Sequence, residues 1–250
     1  DNGLLLRDGF ASDGLAALTE RFSAALLGFG YPRCPGNIML SNPRWCQPLG
    51  EFKQTLREWM FAGAADGVMN LAIFVDAAAV AGDAGLLRQA RRFVDDFLVD
   101  DDAFFARFAS AADQFGDGSG WGSLLSGVRG KDEQVVDLKK LGSFPIVHGV
   151  RTLALQHHVG ELGTAARLQV LAAQHHLPEP MARDLRDALH FFMRLKLDLH
   201  LRQRSSGVAA DNLVRAATLG ALERAGLHEA LAIAKRFRQH LRRHYRFDVL

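Results

Sequence analysis

Two aspartates stand beside short apolar runs and could bind a divalent cation. Asp76 lies within Ile73-Phe74-Val75-Asp76-Ala77, where a carboxylate in an apolar strand is costly unless a cation compensates it. Asp1 comes just before the apolar run Leu4–Leu6. Two strands that each present a carboxylate can hold Mg²⁺ against a triphosphate, as in two-metal phosphoryl or nucleotidyl transfer. A second interpretation stays open for each residue. Asp76 could be a buried aspartate paired with an arginine or a backbone amide, and Asp1 could be a solvated terminus.

Basic residues further along the chain could contact a triphosphate. Lys139 and Lys140 follow a strand-like run, and adjacent lysines at such a point can reach phosphate oxygens as point charges. Arg151 lies six residues after Pro145 in the next predicted helix and could face the same ligand. The alternatives are a solvated lysine pair and a surface salt bridge, neither of which needs a ligand.

Other polar motifs have structural explanations. Asp211-Asn212 precedes an apolar run with helical spacing, which is typical of a helix N-cap. The adjacent pairs His157-His158 and His175-His176 place their two members on different helix faces, so they predict solvated or helix-end residues rather than metal ligands.

Composition excludes several classes of protein. The chain has 250 residues and a formal net charge of +2, which gives no case for a dedicated nucleic-acid binder. Cys34 and Cys46 form no Cys-x-x-Cys pair, so neither a disulfide framework nor a zinc ribbon is indicated, and a reducing cytoplasm is expected. The longest apolar run, residues 71–81, is interrupted by Asp76 and is far shorter than the ~20 residues of a membrane span.

The hydrophobic pattern predicts mixed structure in the first half of the chain and helices in the second. In the first half, Leu4–Leu6 is predicted as a strand and residues 38–40 as a short extended piece. The central apolar run is predicted as a strand from about Ala72 onward, although a buried helix fits the same pattern. Helices are predicted after Asp13 with Leu15, Leu18, Phe22 and Leu26 inward, after Pro48 with Leu49, Phe52, Leu56 and Met60 inward, and over residues 83–99 and 101–115.

Residues 116–131 are rich in glycine and serine and are predicted as a long loop or an interdomain connection. Residues 135–139 are predicted to be extended. The remaining pattern predicts a bundle of helices over residues 145–158, 161–175, 180–204, 212–224 and 228–245.

The chain resembles a known family in six short segments spread over nearly its whole length. The family is that of the nucleotidyltransferases related to the PII-protein uridylyltransferase, whose members often carry CBS and cyclic-nucleotide-binding domains in front of the transferase. The segments are Asp1-Asn2-Gly3-Leu4-Leu5-Leu6, Cys34-Pro35-Gly36-Asn37-Ile38-Met39, Ser41-Asn42-Pro43-Arg44-Trp45, Ile73-Phe74-Val75-Asp76, Asp137-Leu138-Lys139-Lys140 and Ala210-Asp211-Asn212.

The resemblance implies an α+β fold: residues 1–116 as a partial nucleotidyltransferase palm with an incomplete mixed sheet, and residues 117–250 as an all-α, substrate-binding-like helical bundle. It implies that Asp1 and Asp76 are the second and third catalytic metal carboxylates, and that Lys139 contacts the triphosphate. The first carboxylate and a Gly-Ser pair would precede residue 1, so the chain is expected to be truncated and inactive by itself. The sequence departs from the family at Ala78-Ala79, where an Arg-Pro pair is usual.

The leading hypothesis is therefore a Mg²⁺- or Mn²⁺-dependent transferase that moves a nucleoside monophosphate from an NTP to a protein or small-molecule hydroxyl. Lys139, Lys140 and Arg151 are the candidate nucleotide-binding residues, and regulatory domains upstream are the expected partners. Two alternatives remain: a catalytically silent nucleotide-binding module in signal transduction, which Ala78-Ala79 favours, and a helical interaction scaffold. Neither a membrane nor a nucleic acid is expected as a partner.

Overall fold

The computed structural model describes residues 1–11, 13–61, 65–98, 101–114 and 135–247. The predicted α+β class is confirmed, because the chain is 68% helical and its described part contains two small sheets of two strands each. The loop predicted over residues 116–131 lies outside the described residues.

The chain forms two compact units, unit 1 (Asp1–Val99) and unit 2 (Asp100–Leu250). The sequence-based boundary lies after residue 116, whereas unit 2 begins at Asp100. The helix over residues 102–114 therefore belongs to unit 2 and not to the first predicted domain. In unit 1 the elements are β1 (Leu4–Leu6), α1 (Leu15–Gly28), a 3₁₀ turn (Pro43–Trp45), β2 (Cys46–Pro48), α2 (Leu49–Phe61), α3 (Ala65–Val75) and α4 (Ala84–Phe97).

An aromatic cluster forms the centre of unit 1. The Trp45 and Trp59 ring centroids lie 4.9 Å apart, and Phe52 packs against Trp59 at 5.7 Å and Phe74 at 5.4 Å. Beside this cluster β1 pairs with β2 in parallel, with Leu5 opposite Gln47. The predicted strand at Leu4–Leu6 and the predicted inward face of α2 are both confirmed, since Leu49, Phe52, Leu56 and Met60 are buried.

The predicted strand from about Ala72 onward is wrong, because residues 65–75 form the helix α3. Gly67, Leu71 and Phe74 are all buried, and they recur at helical spacing. A Cβ on Gly67 would lie 3.0 Å from the Trp59 carbonyl oxygen, so the glycine allows α3 to approach α2 closely. A continuous apolar run suits a buried helix as well as a strand, and this packing against α2 selects the helix.

Two further predictions in unit 1 are wrong in part. Residues 38–40 were predicted to be extended, but Met39 lies in a bend and Leu40 in a turn, and all three residues are buried. On α1, Leu18 and Phe22 are 59% and 47% exposed, whereas Thr19 and Ser23 are buried. The Thr19 and Ser23 hydroxyls donate to carbonyl oxygens of their own helix, which removes the cost of burying them.

The described residues of unit 2 form a helical bundle with one antiparallel ladder, in which Val136 of β3 lies opposite Val214 of β4. The elements are α5 (Asp102–Gln114), β3 (Val135–Asp137), a π-helical turn (Leu138–Ser143), α6 (Phe144–Gln156), α7 (Thr164–Ala173), α8 (Glu179–Ser205), β4 (Leu213–Arg215), a 3₁₀ turn (Ala216–Thr218) and α9 (Ala221–His244).

Two corrections follow in unit 2. The expected all-α bundle contains a strand where a helix was predicted over residues 212–224, because Val214 pairs with β3 and is buried. Two helices were predicted over residues 212–224 and 228–245, but the structure has the single helix α9, which begins after the 3₁₀ turn. Gly226 does not break α9. A Cβ at Gly226 would lie 2.6 Å from Cε2 of Phe191, so this glycine permits close packing.

The helices in the described part of the chain include none that is both long and apolar enough to cross a membrane.

Candidate functional site

The end of the β3–β4 ladder presents two lysines on an ordered turn. Oδ1 of Asp137 accepts the backbone N–H groups of Lys139 and Lys140, each at 2.9 Å. Leu138 and Leu141 are buried and anchor the π-helical turn, while both lysines are exposed. The turn therefore fixes the backbone from which two ammonium groups reach solvent.

A glycine holds this turn against the bundle. A Cβ on Gly142 would lie 2.7 Å from Cε1 of Phe192, and Phe192 on α8 is itself buried. Only a residue without a side chain allows the turn and α8 to come this close. The position of the lysine pair is thus set by core packing.

The Asp211-Asn212 motif lies beside the lysine turn. The backbone N–H of Leu138 donates to the carbonyl oxygen of Asn212 at 2.9 Å, and Asp137 lies opposite Leu213 in the ladder. Two of the segments that carried the family resemblance therefore meet, although residues 141–209 separate them in the sequence. We call Asp137, Lys139, Lys140, Asp211 and Asn212 the lysine corner.

Asp211 does not cap a helix, so the N-cap prediction is wrong. Its Oδ1 accepts the Leu213 N–H at 3.0 Å and the Gln203 side-chain amide at 2.8 Å, and Gln203 accepts the Asp211 N–H in return. The hydrogen bond from the Gln203 side chain has the largest effect on the pKa of the Asp211 carboxyl, and together with the bond from the Leu213 N–H it lowers that pKa. An aspartate before a strand can fold back onto the backbone two residues on, just as it can before a helix.

Asn212 leaves one buried acceptor unpaired. Its side-chain Oδ1 is inaccessible to solvent and has no hydrogen-bond partner within the described residues. An unsatisfied buried polar group costs about 1–3 kcal/mol. The lysine corner thus presents two exposed cations that suit a ligand carrying anionic oxygens, whereas the Asn212 acceptor beside them is closed to solvent.

Arg151 lies on α6 and is half-buried. Its Nη1 is 3.4 Å from Nδ1 of His148, one turn earlier on the same helix. His148 is fully buried, and its Nε2 is 2.6 Å from the carbonyl oxygen of Phe108 on α5. Sequence reasoning missed His148, although its spacing of three residues from Arg151 places both on one helix face.

Asp1 is exposed at the start of unit 1. The next residue ties it to the loop after α1: the Asn2 N–H donates to the Ile38 carbonyl oxygen at 3.1 Å, and Asn2 Oδ1 accepts the Leu40 N–H at 2.8 Å. The backbone beside Asp1 is therefore fixed by two hydrogen bonds to one loop, while Asp1 itself is exposed to solvent.

Asp76 is half-buried and follows the last residue of α3, so the expected pair of neighbouring strands is not found. A guanidinium lies beside it, because Nη2 of Arg91 donates to the carbonyl oxygens of Val75 and Ala77. Arg91 thereby satisfies carbonyl groups that the end of α3 leaves free. It also provides a cation next to Asp76, as the alternative interpretation of this aspartate expects.

The described residues alone do not make a complete metal site. Among them no group of three or more His, Cys, Asp or Glu residues is arranged to hold a metal ion. Mg²⁺ usually binds through one or two carboxylates together with water and substrate phosphates.

Two family models match the chain. The model described as Putative nucleotidyltransferase substrate binding domain covers residues 102–245, and the model described as Putative nucleotidyltransferase DUF294 covers residues 1–66. The first range contains the lysine corner, His148 and Arg151, the second contains Asp1, and Asp76 lies outside both. No curated protein matches the chain.

Proposed function

Because the chain belongs to the putative nucleotidyltransferase family, with its substrate-binding domain at residues 102–245, we propose that it transfers a nucleoside monophosphate from an NTP to a hydroxyl group. The acceptor in this proposal is a hydroxyl of a protein side chain or of a small molecule, and the resemblance to the uridylyltransferase-related family supports it. The observation that carries this proposal is the lysine corner, an ordered pair of exposed ammonium groups within the matched substrate-binding domain.

The lysine corner binds the triphosphate in this proposal. Lys139 and Lys140 act as point charges on phosphate oxygens, and the Asp137 carboxylate keeps their backbone in place. Arg151 adds a planar guanidinium, which can bind two phosphate oxygens at once. Positioning and charge stabilisation provide most of the catalysis of phosphoryl transfer, so these residues hold the NTP for attack.

In the transfer itself, the acceptor hydroxyl oxygen bonds to the α-phosphorus. The bond from the α-phosphorus to the bridging oxygen breaks, pyrophosphate leaves with that electron pair, and the hydroxyl proton passes to solvent. We propose a requirement for Mg²⁺ or Mn²⁺ with Asp1 and Asp76 as protein ligands, on the family resemblance alone. A bound ion of this kind would neutralise charge on the phosphates.

A second candidate function is a silent module that binds a nucleotide and relays signals from regulatory domains. Two observations favour it. Ala78-Ala79 stand where the resembled family has Arg-Pro, and Arg91 places a cation beside Asp76. In either case we propose a cytoplasmic location, in keeping with the free thiols of Cys34 and Cys46.

Pyrophosphate release by the full-length protein separates the two functions. Each of the four NTPs is supplied with Mg²⁺ or Mn²⁺ and with a desalted cell extract as the source of acceptor hydroxyls, and wild type is compared with Asp76→Asn and with Lys139→Ala. Transferase activity predicts release with one or more NTPs, lost in Asp76→Asn and reduced in Lys139→Ala. NTP binding without release in any metal supports the silent module instead.

Arg183→Ala is the matched control for charge. Arg183 is exposed near the start of α8, whereas Gln203, which contacts the lysine corner, lies 20 residues further along that helix, about 30 Å away. Its removal should leave both NTP affinity and pyrophosphate release unchanged. An equal loss in Arg183→Ala and Lys139→Ala would instead indicate non-specific attraction of the nucleotide to positive charge.

A further inference from the structure

A buried histidine contacts the guanidinium of Arg151. His148 has no solvent exposure, and its ring contacts one phenyl ring of α5 and one of α6. The centroid of Phe108 lies 4.8 Å from that of His148, and Phe144 stacks on it at 5.4 Å with 10° between the planes. Complete burial and the two ring contacts restrict rotation of the imidazole, so its two nitrogens have fixed directions.

Each of these nitrogens faces a group of defined hydrogen-bonding character. The carbonyl oxygen of Phe108 can only accept, so Nε2 of His148 carries the hydrogen and donates across 2.6 Å. The guanidinium of Arg151 can only donate, so Nδ1 of His148 presents its lone pair to Nη1 at 3.4 Å. The ring therefore connects the backbone of α5 to the side chain of Arg151.

An apolar residue at this position would pack in the core without any buried polar atom to satisfy. A histidine here requires two partners, and one of them is a cation that is half-buried. Arginine has about 2 kcal/mol of side-chain conformational entropy, which a ligand must overcome when it orders the guanidinium. Ordering Arg151 before the ligand arrives reduces this cost.

We propose that His148 is a positioning residue, which orients the Arg151 guanidinium toward the phosphates of a nucleoside triphosphate. The proposal rests on the proposed function, since it assumes that Arg151 contacts the nucleotide. It adds a residue that acts on the ligand only through Arg151, and it predicts that the two nitrogens of His148 have separable roles.

Two substitutions separate these roles. In His148→Gln the side-chain amide can take the place of Nε2 and keep the hydrogen bond to Phe108, but nothing replaces Nδ1. In His148→Asn the amide oxygen can take the place of Nδ1 and keep an acceptor for Arg151, but the bond to Phe108 is lost. The 2.6 Å bond to Phe108 is much shorter than the 3.4 Å contact to Arg151, so protein stability should depend mainly on the former.

The experiment measures the affinity of the full-length protein for ATP, GTP, CTP and UTP, together with its urea unfolding. A positioning role predicts that the two variants rank in one order for protein stability and in the opposite order for triphosphate affinity. His148→Asn is the less stable, yet it binds the preferred triphosphate nearly as wild type does. His148→Gln is the more stable, yet its affinity falls about threefold to tenfold, the scale expected when a charge-assisted contact is misaligned. Affinity for the matching nucleoside, which has no phosphates, stays unchanged in both.

Arg151→Ala and its combination with His148→Gln complete the test. If His148 acts through Arg151, the double variant binds no more weakly than Arg151→Ala alone. Additive losses, or affinities that follow stability in the two His148 variants, overturn the positioning role while the proposed function stands. Unchanged triphosphate affinity in Arg151→Ala removes Arg151 from the proposed nucleotide site and overturns this inference with it, while Lys139→Ala tests the proposed function independently.

Discussion

The carboxylate of Asp137 accepts the backbone N–H of Lys140 at 2.9 Å and that of Lys139 at the same distance. One side chain thus orders the start of the π-helical turn that carries both lysines. This contact joins a local sequence motif, Asp137-Leu138-Lys139-Lys140, to the proposed nucleotide site. The negative charge of Asp137 opposes phosphate binding, whereas its hydrogen bonds to the lysine backbone support that binding.

Asp137→Ala should weaken NTP binding although it removes a negative charge. Loss of a capping side chain costs about 1 kcal/mol, and the lysine backbone is no longer held. We expect triphosphate affinity to fall about threefold to tenfold. Asp137→Asn is the matched control, because its side-chain oxygen can still accept both N–H groups. Titration of the full-length protein with NTP measures the affinities. Tighter binding by Asp137→Ala would show that removing the negative charge has a larger effect than releasing the lysine backbone.

Gly142→Ala should destabilise unit 2 and displace the lysine turn. The added Cβ would lie 2.7 Å from a ring carbon of Phe192, which is only 1% exposed. Overpacking of this kind costs about 1–3 kcal/mol. Urea unfolding measures the loss of stability. Gly160→Ala is the control, since a Cβ there meets nothing within 4 Å, and an equal change in both variants would contradict the close contact with Phe192.

The stability of unit 2 should fall below neutral pH because of a stacked histidine pair. The His157 and His176 rings lie 3.6 Å apart with 8° between their planes. Burial, followed by the nearby His176, lowers the pKa of His157 from 6.5 to about 4. Between these values the unfolded chain binds a proton that the folded chain does not, so stability present at neutral pH is lost as the pH falls from 6.5 toward 4.

His157→Gln should remove part of this pH dependence. Each pKa unit corresponds to about 1.4 kcal/mol, but His157 is partly solvated, so about 1 kcal/mol is expected after screening. Urea unfolding at neutral and at mildly acidic pH measures the effect, with His228→Gln, an exposed position on α9, as control. NMR titration of His157 provides the direct check. A pKa at or above 6.5 would mean that the C-terminal dipole of α6 outweighs burial.

Phe52→Ala should destabilise unit 1 by about 3–5 kcal/mol, as expected for a large aromatic residue removed from a core. The ring contacts Trp45, Trp59 and Phe74 and is only 3% exposed. Unfolding followed by tryptophan fluorescence reports on this cluster. Phe29→Ala is the control, because Phe29 is 78% exposed and its loss should change stability by less than about 0.5 kcal/mol. Similar losses in the two variants would contradict the central role of the cluster.

The sequence determined the elements whose signal is local. The inward face of α2 follows from apolar residues at helical spacing, and the structure confirms it, with Leu49, Phe52, Leu56 and Met60 all buried. It also singled out Asp137-Leu138-Lys139-Lys140 and Asp211-Asn212 as separate motifs. A chain carries such information in the order of neighbouring residues, so no tertiary contact is needed to recognise it.

The tertiary structure decided everything that depends on distant partners. The run around Leu71 is a helix because Gly67 packs against α2, and Val214 is in a strand because Val136 lies opposite it. Contact between Leu138 and Asn212, and the orientation of Arg151 by a histidine bonded to Phe108, likewise join residues far apart in the chain. Strand pairing and side-chain networks gain their free energy from non-local contacts, and local spacing cannot specify which residues make them.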